Sequence, residues 1–556
     1  MAGRHGPAKR RPFAVTLKPE DTAVAIIGSG PAGLSLAIEL GSRGVPCTIF
    51  ERSPRAGHAP RAKTTHSRTR EHMRRWGIAG KLAEASPFGV DYPSHVMFVT
   101  RLGGHLLHRF EHALDCNPAR DEHYSEHGQW IPQYRLEKVL LDHALSLPGV
   151  RILYGQEFTD YAETGSGVTV RLRDVADGST HEMTASYLVG ADGSGSTVRD
   201  RIGATMQGSY GLSRNLNIIF RAPQLARAHP HGPGIMFWQI NPDVPSLIGP
   251  MDQGDLWYFM PTGVDGANPP TPAEAEAMIR KATGIDTEIE VLSSDTWVAS
   301  KLLADRFRNG RAFLVGDAGH LHPPFGGFGM LLGVGDAVDL GWKIAAVLAG
   351  WGGEGLLDSY EIERRQTAQI VLDAAEANHT ILANQLILPH LEEDGPAGEA
   401  ARAEAAALVR RHKQAEFYAR GVVLGYCYRG SPVVVDDGSQ QDWVRSLDYV
   451  PAAIPGCIAP HCWLADGSSL YDHFGAGFTL LATAPGLDAE IARAEAEARQ
   501  AGVPLTVIAP GDDRLPGLYA ARLALIRPDQ HVAWRGDVFE DGIFAVIAGQ
   551  RAAVPA

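Results

Sequence analysis

The chain has little cysteine, no long uninterrupted apolar run and no excess of positive charge. Its five cysteines are scattered through 556 residues. They are too sparse for a disulfide framework and fit a reducing compartment, so a cytoplasmic protein is expected. The most apolar stretch, Met330 to Leu348, is interrupted by Asp336, Asp339 and Lys343, so no membrane span is expected. A net charge of −13 argues against general affinity for nucleic acid or anionic membrane. The exception is local: Arg4, Lys9, Arg10 and Arg11 read as a disordered basic tail over residues 1–20, with no apolar segment to make it a signal peptide. Metal-ligand patterns are thin. His123 and His127 stand at i, i+4, and His320 and His322 form H-x-H in a Pro/Gly loop, but no acid or cysteine clearly completes either set. No metal is expected.

What is present starts at Val24–Glu51, VAIIGSGPAGLSLAIELGSRGVPCTIFE. Val24 to Ile27 look like a buried parallel strand. Gly28, Gly30 and Gly33 follow as G-x-G-x-x-G, with Pro31 and Ala32 opening a helix whose Leu36, Ala37 and Leu40 share a face. Gly28 permits the tight turn, Gly30 lets a pyrophosphate approach the backbone, and Gly33 lets helix and strand pack. The helix N-terminus offers free N–H groups and the positive end of its dipole to phosphate. Cys47 to Phe50 form a second strand ending on Glu51, where a carboxylate accepts bonds from a ribose diol. The whole βαβ context makes this a dinucleotide site.

Arg52 to Glu71 form a polar stretch, too irregular for core, whose arginines suit phosphate contacts. Strands are expected at Val96–Thr100, Leu106–Phe110, Val168–Leu172 and near Met183, and a helix after Gln133. Tyr187 to Gly190 run into Ala191-Asp192-Gly193, ahead of Arg199. From Asn215 to Met260 come short strands between Gly/Pro turns, carrying Phe237, Trp238, Trp257, Tyr258 and Phe259. They suggest an antiparallel sheet covering an aromatic-walled pocket. Trp297 to Leu303 lead back towards the first domain. Ala312 to Val315 form another buried strand, ending in Gly316-Asp317, and a Pro/Gly loop from Pro323 runs into a helix N-terminus at Met330. Residues from Tyr360 to about Gly421 are Ala-rich and helical. After a Gly/Pro-rich link, strands at Phe478–Thr483, Leu505–Ile508, Leu523–Ile526 and His531–Trp534, with a helix at Asp488–Gln500, make a small α/β unit.

Three separated motifs stand together: Gly28 to Glu51, Asp192-Gly193 with Arg199, and Gly316-Asp317 with PPFGGFG. They resemble the FAD-dependent aromatic hydroxylases of the phenol hydroxylase type, single-component flavoprotein monooxygenases, over nearly the whole chain. The resemblance implies an α/β fold: a doubly wound FAD-binding domain over residues 21–420, an inserted sheet at about 92–130 and 203–300, and a thioredoxin-like domain over 450–556. It implies hydroxylation of a small phenolic aromatic by O2 through a C4a-hydroperoxyflavin, with NADH or NADPH as electron donor. Cofactor contacts are implied for Gly28, Gly30, Pro31, Ala32, Gly33, Glu51, Arg52, Arg61, Gln133, Asp192, Arg199, Gly316, Asp317, Pro324, Gly327, Gly329, Met330 and Leu331. Phe237, Trp238, Trp257 and Pro323 are candidates for the substrate pocket. Lys63 and His66 are candidates for activating the phenol, since relatives place a base in that segment, and Tyr258 on the inserted sheet is a further candidate.

Two departures stand out. Gly327-Phe328-Gly329-Met330-Leu331 replaces the family's Gly-Gln-Gly-Met-Asn, and the last unit lacks C-x-x-C, so no thioredoxin-type thiol role is expected of Cys457 and Cys462. Partners are the phenol and O2, and a homodimer is an open arrangement. A flavin halogenase is the rival enzyme reading, although its W-x-W-x-I-P motif is only echoed by Phe237 to Pro242. A non-catalytic FAD-binding module is the other alternative.

Overall fold

The computed structural model describes residues 22–53, 63–264 and 268–551. The basic tail and Arg61 lie outside them. The described residues form three larger sheets and a two-stranded ribbon.

Thr22–Ile27 is the central strand of the first sheet. Cys47–Glu51 and then Val150–Tyr154 run parallel to it on one side, and Thr180–Gly190 and Ala312–Leu314 on the other. Its six residues are all buried, as a parallel strand covered on both faces requires. An antiparallel pair, Gln156–Glu163 and Val168–Asp174, extends the sheet from Thr180–Gly190. Helices Pro31–Ser42 and Gly329–Leu348 pack closely: a Cβ on Gly341 would lie 2.6 Å from Glu39 Cγ. Glu39 is buried there with Arg43, Arg75 and the Trp76 N–H on its carboxylate. Burial opposes its charge, but the two arginines hold its pKa down at about 2.

The second sheet has the order His320–Leu321, Glu290–Ala304, Met206–Arg221, Leu256–Pro261, Ser246–Pro250, Met236–Gln239, Val96–Val99, Leu106–Phe110. It is antiparallel except where Met236–Gln239 runs parallel to Val96–Val99. Trp297 to Leu303 lead towards the Arg308–Asn309 strand at the edge of the first sheet. They belong to the long strand paired with Met206–Arg221. Side chains alternate across this sheet, so adjacent aromatics part company. Trp238 and Tyr258 share an apolar cluster with Phe325. Phe237 and Trp257 pack on the opposite face with Ile279 of helix Pro272–Thr283.

The third sheet has the order Leu505–Ile508, Phe478–Ala482, Leu523–Ile526, Val532–Gly536, with only the first pair parallel. That is the thioredoxin-like arrangement. It joins the first domain through buried charge. Arg527 reaches Asp339 at 2.8 Å and Glu363 at 2.7 Å, and Lys343 reaches both acids at 2.8 and 2.5 Å.

The segment after Glu51 departs from its reading as non-core. Thr64 to Met73 are buried. Arg68 donates to Gln530 and to the Asp529 carbonyl, each at 2.6 Å, and pairs with Glu71 at 3.0 Å. Arg70 bonds Gln129 and Glu126. These arginines therefore fasten loops and the third sheet. Their polarity disguised them as surface, but each charge has a buried partner.

Candidate active site

The turn after the first strand has three glycines with different reasons. Gly28 sits at φ +104°, and a Cβ there would meet the Ala191 carbonyl oxygen at 2.4 Å. A Cβ on Gly33 would meet the Gly28 carbonyl oxygen at 2.1 Å. The fold itself demands both. Gly30 has φ −69° and ψ 178°, open to any residue, and no atom lies within 4 Å of its Cβ position. Its lack of a side chain serves nothing in the chain. It leaves clear the space in front of the helix N-terminus, where Pro31 is the first helical residue, and that space fits the FAD pyrophosphate. Glu51 accepts from the Ser29 N–H and Oγ, each at 2.9 Å, and from the Ser53 N–H at 2.8 Å. Burial pushes its pKa up, but these bonds prevail and it falls below the usual value. It is an ionised acceptor beside the turn, with Arg52 exposed next to it.

The other two motifs arrive at the same place. Asp192 accepts from Ser196 Oγ at 2.5 Å and the Val198 N–H at 3.1 Å. Arg199 donates to the Ala318 carbonyl at 3.3 Å and the Ser194 carbonyl at 3.0 Å, tying this loop to the Gly316-Asp317 turn. A Cβ on Gly316 would lie 3.1 Å from Ala32 Cβ, and one on Gly333 3.3 Å from it, so both helices and the turn converge on Ala32. Asp317 presents an exposed side chain. Asp336 fixes the turn from below. Its carboxylate accepts from the Gly316 N–H at 2.9 Å, His320 Nε2 at 2.8 Å and Arg364 Nε at 2.7 Å. Burial opposes its charge, yet Arg364 and His320 hold its pKa below the usual value. His320 is thereby an internal partner, and His322 Nδ1 bonds the Pro323 carbonyl at 2.7 Å.

The Pro/Gly loop runs from this turn to the long helix and sets Phe325 against the second sheet. Pro323 is buried and Pro324 exposed. Gly327 has φ +68°, and a Cβ there would lie 2.8 Å from Thr64 Oγ1. Gly329 begins the long helix, Met330 contacts Thr65 Oγ1 at 3.9 Å, and Leu331 is buried. His66 Nε2 bonds the Gly326 carbonyl at 2.9 Å, and its ring stacks on Phe328 at 5.3 Å. A carbonyl only accepts, so Nε2 carries the proton. Burial drops the His66 pKa to about 4, so the ring is neutral. Phe325 packs against Trp238 at 6.0 Å, and Trp238 stacks on Phe98 at 5.3 Å.

Lys63 closes this wall. Its ammonium lies 4.0 Å from the centre of the buried Tyr258 ring, and burial lowers its pKa to about 8 with no neighbouring carboxylate opposing. The Tyr258 hydroxyl donates to the Ile235 carbonyl at 3.3 Å, and burial raises its pKa far above the usual value, so it stays protonated. Gln133 opens the helix Gln133–Ser146 and bonds Glu137 at 2.7 Å.

The structure thus gathers the three motifs with Lys63, His66, Trp238 and Tyr258. It separates Phe237 and Trp257 from them, because strand alternation turns both away. Sequence reasoning missed Asp336, Arg364 and the Lys413–Glu416 pair, whose Lys413 lies 4.2 Å from the Trp238 ring centre. The signal was available for Asp336: an acid inside a strongly apolar helix must find buried partners. Among the described residues no group of three or more His, Cys, Asp or Glu is placed to hold a metal ion.

A family model described as FAD binding domain matches residues 21–375, and one described as aromatic-ring hydroxylase, C-terminal, matches 452–549. Aklavinone 12-hydroxylase DnrF of Streptomyces peucetius is 32% identical over 488 residues, 85% of this chain and 93% of that protein. The 2,4-dichlorophenol 6-monooxygenase of Delftia acidovorans is 30% identical, covering 94% of this chain and 96% of its own. Among solved structures, K252c-bound RebC superposes with a TM-score of 0.88 at 33% identity, over 96% of this chain and 100% of RebC. Fold, cofactor cradle and relatives agree, and the protein is an enzyme that uses FAD: the chain belongs to the FAD-dependent aromatic-ring hydroxylases.

Proposed function

We propose that this enzyme hydroxylates a phenolic aromatic ring, drawing electrons from NADH or NADPH, with the substrate hydroxyl held as phenolate by Lys63. One observation carries the phenolic reading. The Lys63 ammonium is set into an aromatic wall, on the face of Tyr258, without a carboxylate partner among the described residues. A buried cation with no anion of its own suits an anion brought by the substrate.

FAD, when bound, supplies hydride acceptance and activation of O2. The chain's own residues do the rest. Gly30 and the helix N-terminus hold the pyrophosphate, and Glu51 receives the ribose hydroxyls. Asp192, Arg199 and Asp317 line the approach of the three motifs. His66, neutral and bonded to Gly326, positions the Pro/Gly loop and is not the base. Trp238 and Phe325 seat the ring and exclude water, which strengthens the Lys63 charge. Residues 21–420 carry this chemistry, and 450–556 brace it.

A panel of phenols, assayed for stimulated NADH or NADPH oxidation with mass detection of one added oxygen, tests the reading. Hydroxylated product from at least one phenol is expected. NAD(P)H oxidation that no phenol stimulates, in FAD-loaded enzyme, would overturn it.

A further inference from the structure

Cys427 and Cys457 are both buried and stand opposite each other in an antiparallel bridge. The Tyr428 N–H donates to the Gly456 carbonyl at 2.9 Å. That bond, one residue beyond one cysteine and one before the other, makes them a non-hydrogen-bonded pair. In such pairs the Cα atoms are about 4.5 Å apart and the side chains approach most closely. The distance falls within the roughly 4.4–6.8 Å that a disulfide spans. The Cys427 side chain, and then burial, raises the Cys457 pKa, and the Cys427 thiol donates to the Pro455 carbonyl at 3.7 Å. Cys462, the nearer neighbour in sequence, packs in a different cluster with Leu470 and Tyr519.

We propose that Cys427 and Cys457 are an oxidisable dithiol that closes to an intramolecular disulfide when hydrogen peroxide reaches it. The first thiol gives two electrons to the peroxide, whose O–O bond breaks. A sulfenic acid forms and one water leaves. The second sulfur then attacks the sulfenic sulfur, the S–O bond breaks, the S–S bond forms, and the second thiol's proton leaves with the hydroxide as water. The link joins the segment after helix Arg420–Val423 to the lead-in of the third sheet. There Ile458 bridges His531, close to the Arg527 clamp. Attack requires local opening, so the reaction is slow, and brief exposure leaves the pair reduced. The chemistry is independent of ring hydroxylation.

The full-length, FAD-loaded protein is incubated for hours with excess hydrogen peroxide, then denatured, alkylated and digested. The expected result is loss of two of the five alkylatable thiols, a cross-linked peptide pair holding residues 427 and 457, and recovery of both thiols with dithiothreitol. The thermal midpoint should rise by several degrees on oxidation. Cys427→Ala, checked for native circular dichroism and FAD content, should give neither the link nor the rise. The proposal falls if the pair stays reduced while other thiols oxidise, if Cys457 links to Cys462, or if either sulfur runs on to sulfinic acid. Wild-type peptide mapping decides the matter even if the variant does not fold.

Discussion

Replacing Lys63 by methionine separates charge from shape in the ring pocket. Methionine keeps an apolar stem over Tyr258 and removes the ammonium. Burial lowers the Lys63 pKa from 10.5 to about 8. At about 1.4 kcal/mol per unit, the fold gives up about 3 kcal/mol to hold that charge at neutral pH. An oxyanion about 4 Å from the ammonium, at an effective dielectric of about 20, recovers about 4 kcal/mol. That is worth about three units of phenol acidity. A phenol with a pKa near 10 then ionises near neutrality, whereas a nitrophenol is ionised already. Lys63→Met should therefore slow hydroxylation of the weak acid by about 10²–10³-fold and of the nitrophenol by less than about tenfold, with peroxide release rising for the first. The pH signs follow. Lys63 is charged below about 8, so wild-type kcat/KM for weakly acidic phenols should fall as pH rises through about 8. Between about 8 and 10.5 the unfolded chain binds more protons at this residue, so wild-type stability should gain from it over that window. The variant should lack both effects and resist unfolding better at pH 7. Product formation, oxygen uptake and peroxide are measured for phenols of graded acidity, with urea melts alongside. An equal loss for every phenol, or an unchanged alkaline limb in the variant, would refute the role.

Gly30→Val should fold, since its backbone angles and open Cβ direction tolerate any residue, yet it should purify without FAD; wild-type flavin absorbance in the variant would remove the pyrophosphate from that turn. Arg527→Met leaves Asp339 and Glu363 sharing Lys343, and Asp529 with His531, and should cost about 3–5 kcal/mol, read as a lower urea midpoint and earlier FAD release. His66, with a pKa of about 4, should contribute no limb between about pH 5.5 and 7.5, and His66→Ala should raise peroxide release by loosening the Gly326 loop; a neutral limb that vanishes in the variant would restore it as a base. The Cys457→Ser, Cys462→Ser double variant should keep coupled turnover, and a large activity loss with native circular dichroism would contradict the absence of a catalytic thiol.

The dinucleotide turn was legible because its constraints are local. Spacing alone distinguishes Gly28 and Gly33, which the backbone needs, from Gly30, which only a ligand needs. The strands of the last unit were legible for the same reason, as short apolar runs between turn residues. The pocket wall was half legible. Trp238 and Tyr258 could be named as aromatics on strands, but which of two neighbours faces the flavin loop depends on the pairing of distant strands. That is why Phe237 and Trp257 were misplaced. Arg68 and Arg70 read as too polar for core and suited to phosphate because composition scores charge without its partners. Gln530, Asp529 and Glu126, which bury them, come from remote parts of the chain.

The Arg527 clamp has a consequence for how the enzyme is made. Asp339 lies in helix Gly329–Leu348 and Glu363 in helix Glu354–His379, and the arginine between them comes from the third sheet, 164 residues after Glu363. Until it is made, Lys343 is the one cation these two acids share. The nascent nucleotide-binding half then lacks the second cation that closes this contact. Cofactor capture should therefore wait until the third sheet has been made and has docked. A stop codon ahead of residue 527 should yield a chain that is made in full measure but remains colourless.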